Sequence, residues 1–279
     1  MILRELVQLT KPRISVLSVA TAAVGMALAG KVSGGLAATT LVGTLLLVGA
    51  ANTLNMYVER DVDAKMARTR RRPLPAGRLS PGIALGFGLA QAAVAIPLLW
   101  LGANLLTGAL GALALVLYVL VYTPLKRVTT HALLVGAIPG AMPPLLGYTA
   151  VSGTVTVACL GVFAAMFLWQ VPHFLAIALF QKDDYRAAGL KVLPVEKGED
   201  AARRSIVVYL ALQVAVTLLL VPLGLGGVGY FLGALALGGA MLGWGLWAMR
   251  TRADARWARQ FFLGTITYLP VWFLLLLVA

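Results

Sequence analysis

Three side chains with oxygen ligands recur at helical spacing in one stretch of the sequence: Asn55, Glu59 and Asp63. Residues at i, i+4 and i+8 share one face of an α-helix, so these three form a stripe about 12 Å long. Carboxylates stacked in this way repel one another unless a cation lies between them, and Mg²⁺ shared with substrate phosphates is a suitable cation. This acidic stripe predicts a metal site, and Asn55 favours it because a buried amide needs partners. A solvated loop whose charges pair among themselves is the alternative interpretation.

Six basic residues lie within the acidic stripe and just after it, from Arg60 to Arg72. Arginine contacts phosphate oxygens through two parallel hydrogen bonds, and lysine contributes a compact positive charge. A diphosphate group is therefore the ligand that the combined segment indicates.

A second acidic pair, Asp183 and Asp184, lies much later in the chain. Adjacent aspartates are a weak signal alone, but with the acidic stripe they predict a two-sided cage for metal and diphosphate. His173 precedes Asp183 by ten residues, which is roughly 15 Å deeper along a continuous helix. A histidine inside a membrane is a functional candidate, and a hydrogen bond to a neighbouring helix is the alternative.

The elements that must carry these residues are long apolar runs. Of the 279 residues 60% are hydrophobic and only 12% are charged, too few for the surface of a soluble domain. A membrane-crossing helix needs about 20 apolar residues. Nine such runs occur, at about 14–30, 36–57, 83–101, 104–122, 132–151, 155–180, 205–223, 226–249 and 260–278. The sequence therefore predicts an all-α polytopic membrane bundle.

The charges predict the orientation of this bundle. If nine helices alternate across the membrane, 22 of the 23 Lys and Arg residues and all ten acidic residues fall on one face. The positive-inside rule places that face and the N-terminus in the cytoplasm and the C-terminus on the opposite side. The net charge of +13 then reflects topology, and no nucleic-acid partner is expected.

The spacing of the charged loops predicts an internal repeat. The two longest of them follow the second and the sixth helix. We therefore expect two pseudo-repeated four-helix halves with a ninth helix added, in a single domain over 1–279.

Several segments resemble a known family, the UbiA superfamily of intramembrane prenyltransferases. The acidic stripe with residues 68–75 is similar to the first motif of that superfamily, and residues 122–129 are similar to its loop after helix 4. Residues 136–148 and 169–174 resemble the branch that farnesylates protoheme IX, the heme O synthases.

This resemblance implies transfer of a farnesyl group from farnesyl diphosphate to a vinyl group of protoheme IX, with addition of water, to give heme O and diphosphate. It implies Mg²⁺ as the cofactor, with heme as a substrate. The implied metal ligands are Asn55, Glu59, Asp63 and Asp184, with Asp183 as a further catalytic candidate. The implied diphosphate ligands are Lys65, Arg68, Arg72, Lys126 and Arg127. The heme contacts would come from His173, Tyr185 and His131, and a loop-capping role is the alternative for His131.

The resemblance also implies a place in the bacterial cytoplasmic (inner) membrane, within the lipid bilayer, and contact with heme A synthase or terminal oxidase assembly. Two other functions stay open. One is a UbiA-type prenyltransferase that acts on an aromatic quinone precursor or a chlorin. The other is a transporter of an anionic lipid or phosphate compound, which is disfavoured because the charge lies at one face rather than at mid-membrane.

Overall fold

The computed structural model describes residues 2–278, and every regular element in that range is a helix. Nine of these helices are long and apolar enough to cross a membrane, which confirms the predicted architecture. They are α1 (Pro12–Ala29), α2 (Gly34–Val58), α3 (Pro81–Gly102), α4 (Leu105–Leu125), α5 (Ala132–Ser152), α6 (Val157–Phe180), α7 (Glu199–Leu219), α8 (Val228–Thr251) and α9 (Ala255–Val278).

The helix α7 differs most from its predicted range of 205–223, because it begins at Glu199 and ends at Leu219. Its first turns are charged, so an apolar pattern does not reveal them. Arg203 is buried there, and its guanidinium lies 2.8 Å from Glu199 and 2.9 Å from Asp200. These ion pairs let the helix extend beyond the apolar segment.

Neighbouring helices repeat their packing four helices apart. The helix α2 packs against α1 and α3, and α6 packs in the same way against α5 and α7. The two halves, α1–α4 and α5–α8, meet where α1 packs along α5, and α9 contacts α6, α8 and α1. This arrangement agrees with the predicted pair of four-helix halves. A single domain over 1–279 stays a prediction.

Close packing of α1 on α5 depends on two glycines. A Cβ atom at Gly25 would lie 1.9 Å from the carbonyl oxygen of Pro144, and one at Gly147 would lie 1.9 Å from that of Ala22. Any larger residue would force the helices apart. Gly147, in the segment 136–148, therefore contributes to the contact between the two halves.

Candidate active site at the charged face

The acidic stripe is buried at the end of α2. Glu59 continues the helical hydrogen bonding by donating its backbone N–H to the carbonyl of Asn55, and a further helical turn covers Arg60–Asp63. The side chains of the stripe are almost fully buried, with 2% of Asn55, 6% of Glu59 and 1% of Asp63 exposed. Charged groups are rarely buried so completely unless they are paired. The alternative of a solvated loop therefore fails for this segment.

The amide of Asn55 has a fixed orientation. Its Nδ2 donates to Glu59 Oε2 and to Thr123 Oγ1, at 3.0 Å each. The Thr123 hydroxyl in turn donates to the carbonyl of Tyr118. Both amide protons of Asn55 are thus used, and no donor within residues 2–278 binds its Oδ1. This leaves an amide oxygen available for a cation beside the Glu59 carboxylate.

Thr123 reaches Asn55 because α4 changes its winding. Residues Leu117–Tyr122 form a π-helical segment just before Thr123. Such segments are rare and occur frequently at functional sites. Thr123 was not among the predicted site residues, although it lies within the residues 122–129 that resemble the family loop.

Two cations pair with the stripe, and their predicted role in binding diphosphate stays a prediction. Arg72 Nη1 lies 2.7 Å from Asp63 Oδ2, and Lys126 forms an ion pair with Glu59. The other oxygen of Asp63, Oδ1, is buried and has no hydrogen-bond partner among the described residues. A buried carboxylate oxygen without a partner is costly, and a bound cation would satisfy it.

Lys11 is a third cation at the stripe. Burial and, to a smaller extent, the charges of Arg72 and Lys126 lower its pKa to about 7, against an opposing effect of Glu59 and Asp63. These four side chains are therefore the charged neighbours of Lys11. Its backbone is left-handed, with φ of 48°, just before Pro12 begins α1. Sequence reasoning did not select Lys11, although a lysine before a proline-initiated helix is a visible signal.

Asp184 lies against the loop that follows the stripe. Its Oδ1 accepts the backbone N–H of Ala67 at 3.2 Å, and its Oδ2 accepts that of Arg68 at 3.3 Å. Asp184 thus holds the basic loop from the opposite half of the molecule. Its role as a metal ligand stays a prediction.

The remaining basic and tyrosine candidates divide into two groups. The Arg68 guanidinium lies 5.5 Å from the ring centre of Tyr185, which itself packs beside Val62 and Met66. These two residues therefore join the halves near the stripe. In contrast, Lys65 is exposed on the surface.

Two other candidates are not brought to the stripe. Asp183 is exposed and pairs with Arg186 at 2.8 Å. Arg127 binds both oxygens of Asp61, at 3.0 and 2.8 Å, and this hydrogen bonding holds the pKa of Asp61 below its usual value.

His173 lies inside α6 and is held by α9. Its Nδ1 is 2.7 Å from Thr265 Oγ1, and that hydroxyl donates to the carbonyl of Phe262 at 2.6 Å. Because the hydroxyl proton is used there, His173 Nδ1 must be the donor to Thr265. The lone pair is then on Nε2. The imidazole also stacks on Trp169, with ring centres 4.8 Å apart.

His131 differs from His173 in its surroundings. It is exposed and immediately precedes α5, and its backbone N–H donates to Thr129 Oγ1. Its side chain makes no capping hydrogen bond with α5, so the loop-capping alternative stays a prediction.

Two relatives match most of the chain. The protoheme IX farnesyltransferase of Sorangium cellulosum is 56% identical over 87% of this chain and 86% of its own. The protein of the same name from Myxococcus xanthus is 51% identical over 95% of this chain and 90% of its own.

Solved structures share the fold at low identity. A digeranylgeranylglyceryl phosphate synthase superposes with a TM-score of 0.83 at 13% identity, over 99% of this chain and 97% of the other. A UbiA homolog from Archaeoglobus fulgidus, bound to DMAPP and Mg²⁺, gives a TM-score of 0.69 at 18% identity, over 99% of this chain and 100% of the other. The model of the UbiA prenyltransferase family matches residues 17–266. The chain is an integral membrane protein and belongs to the UbiA prenyltransferase family.

Proposed function

We propose that this protein transfers a farnesyl group from farnesyl diphosphate to a vinyl group of protoheme IX. Two relatives that are 56% and 51% identical to it over the aligned residues carry the name of that activity. The structural observation that carries the proposal is the buried acidic stripe. Asp63 Oδ1 has no partner there within residues 2–278, while Arg72 and Lys126 pair with the carboxylates. A site built in this way suits a metal–diphosphate group.

The residues present fit Mg²⁺. The amide oxygen of Asn55 and the carboxylates of Glu59 and Asp63 are the hard oxygen ligands that this ion prefers. The homolog from Archaeoglobus fulgidus is described with Mg²⁺ and a prenyl diphosphate bound. When bound, Mg²⁺ would neutralise charge that develops on the leaving diphosphate.

Three cations of this chain would stabilise the same diphosphate. Arg72, Lys126 and Lys11 already lie beside the stripe. As the allylic C–O bond breaks, the bonding electrons remain on the diphosphate, and these fixed charges favour that state over the ground state. They act more strongly in a buried site than in water.

The farnesyl cation that remains would add to the terminal carbon of a heme vinyl group. The positive charge then lies on the carbon next to the porphyrin ring, where water adds and loses one proton. The atoms balance, because protoheme IX, farnesyl diphosphate and water together give heme O and diphosphate. Bulk water must stay away from the first cation, and the apolar helices that carry the site provide that exclusion.

His173 is the residue that we assign to the heme. Its Nδ1–H donates to Thr265, so its Nε2 lone pair can ligate the iron. Stacking on Trp169 fixes the plane of the imidazole. His173 would therefore position the heme. It is not needed for proton abstraction, because the reaction needs no strong base in its first step.

We further propose that the charged face lies in the bacterial cytoplasm and that the C-terminus lies on the opposite side of the inner membrane. The excess of Lys and Arg on that face supports this orientation. Contact with heme A synthase or terminal oxidase assembly stays a prediction.

A competition between acceptors tests the proposal. The purified chain in detergent would receive farnesyl diphosphate and Mg²⁺ with equal amounts of protoheme IX and 4-hydroxybenzoate, and the products would be separated by mass. Farnesylated heme is expected as the main product. A farnesylated benzoate with unchanged heme would replace the proposal by the quinone-precursor alternative.

A further inference from the structure

A cleft of about 350 Å³ opens between α8 and α9 at the charged face. The α8 side contributes Trp244, Trp247 and Thr251, which share one helical face at i, i+3 and i+7. The α9 side contributes Arg256 and Gln260, one helical turn apart. No residue of the acidic stripe lines this cleft, so it is a separate feature of the molecule.

The rim of the cleft is positively charged. Arg256 is exposed, and its guanidinium forms no ion pair or hydrogen bond with any described residue from 2 to 278. The one acidic residue of the wall, Asp254, uses its Oδ1 to accept the backbone N–H of Trp257 at the start of α9. Three further exposed arginines lie nearby in sequence, and none of them has an ion-pair partner in the described range: Arg250, Arg252 and Arg259.

The walls of the cleft are aromatic and largely fixed. Trp244 packs against Trp257 and Phe261, with ring centres 6.5 and 5.5 Å apart. Trp247 lies on the same face of α8 as Trp244, and 54% of its surface is exposed. Tryptophan is enriched where a membrane meets water, because its ring is apolar and its N–H is polar. Both helices cross the membrane, so the cleft lies at that boundary.

We propose that this cleft binds an anionic phospholipid, with the headgroup phosphate on Arg256 and an acyl chain along Trp247. Basic clefts between membrane helices attract anionic headgroups, and each basic side chain near the surface contributes measurably to that attraction. The exposed indole adds an apolar contact that a free anion would not use. The lipid enters directly from the bilayer. This inference does not depend on the proposed prenyl transfer.

Quenching of tryptophan fluorescence by brominated lipids tests the proposal. The full chain in detergent would be titrated with dibrominated phosphatidylglycerol and, separately, with dibrominated phosphatidylcholine. Stronger quenching at lower concentration is expected for phosphatidylglycerol. Arg256→Gln should weaken the apparent affinity for phosphatidylglycerol about fivefold and leave phosphatidylcholine unchanged.

Two further variants keep the test specific. Arg204→Gln removes another exposed, unpaired arginine from the same face but outside the cleft, and it should leave both titrations unchanged. Trp247→Phe should remove most of the quenching that is specific to phosphatidylglycerol. Thermal unfolding in detergent should be the same for all three variants and the parent.

Four results would overturn the proposal. They are equal quenching by the two lipids, equal weakening by Arg204→Gln and Arg256→Gln, specific quenching that persists in Trp247→Phe, and relief of quenching by millimolar inorganic phosphate. The last result would mean that the cleft takes a free anion instead of a lipid.

Discussion

Arg72 binds only one of the two carboxylate oxygens of Asp63. Its Nη1 lies 2.7 Å from Oδ2, whereas Oδ1 is buried and has no partner among the described residues. A guanidinium could bind both oxygens at once, so the free oxygen is a specific feature of this site. It points to a second cation, which the proposed function identifies as Mg²⁺.

Replacing Asp63 by Asn should abolish most of the turnover. The change keeps the size of the side chain but removes the charge that would hold both Arg72 and the metal, so we expect a loss of about 100-fold or more in kcat. Steady-state release of diphosphate measures it. Asp61→Asn is the matched control, because Asp61 is exposed and pairs with Arg127. Equal losses in the two variants would contradict the assignment of the metal to the stripe.

Lys11 should affect the KM for farnesyl diphosphate. Its charge would bind a phosphate oxygen, and a charge-assisted hydrogen bond of this kind is worth about 10-fold or more in affinity. Lys11→Met should therefore raise KM by about that factor and change kcat less. An unchanged KM would exclude Lys11 from the diphosphate site.

The pH dependence of the same KM provides a second check on Lys11. Its pKa is lowered to about 7, so above pH 7 the lysine is mostly neutral and binding of the diphosphate must take up a proton. The KM of the parent should then rise as pH increases from 7 to 9. Arginine stays charged throughout, so this part of the rise should disappear in Lys11→Arg. The same pH profile in both proteins would contradict the interpretation.

Asp184 should act through the basic loop. Its carboxylate accepts the N–H groups of Ala67 and Arg68, so Asp184→Ala should free this loop and speed tryptic cleavage after Arg68 severalfold. If Asp184 is also a metal ligand, as predicted, the Mg²⁺ concentration for half-maximal activity should rise about tenfold. Asp183→Ala is the control, because that side chain is 89% exposed. Unchanged cleavage of Asp184→Ala would contradict the role in the loop, and an unchanged Mg²⁺ requirement would contradict the role as a metal ligand.

His173 should determine the absorbance spectrum of bound heme. His173→Ala would remove the imidazole from the iron and shift the Soret band, whereas His131→Ala should leave the spectrum unchanged because His131 is exposed. Thr265→Val should weaken heme binding less than His173→Ala, since it removes only the hydrogen bond that orients the ring. A parent-like spectrum for His173→Ala would exclude axial ligation.

Much of the fold follows from the sequence because apolar length and one-sided charge are strong signals in membrane proteins. The count of nine helices and the stripe from Asn55 to Asp63 needed only these signals and the helical period. The charged start of α7 was missed because its ion pairs are visible only in three dimensions.

Contacts between distant segments were the least predictable part of the site. Asn55 and Thr123 lie far apart in sequence, and they meet only because α4 contains a π-helical segment. Lys11 reaches the stripe through the left-handed turn before α1. The exposed position of Asp183 likewise depends on how the short helix Lys182–Ala187 is rotated, which adjacent aspartates do not reveal.

The mass of the porphyrin formed in ¹⁸O-labelled water tests the central claim most directly. The purified chain would be incubated with protoheme IX, farnesyl diphosphate and Mg²⁺, with Asp63→Asn alongside. The parent protein should yield a heme that carries one farnesyl group and one ¹⁸O atom, and the variant should leave the heme unchanged. Release of diphosphate by the parent with no change in the mass of the heme would contradict transfer to the porphyrin.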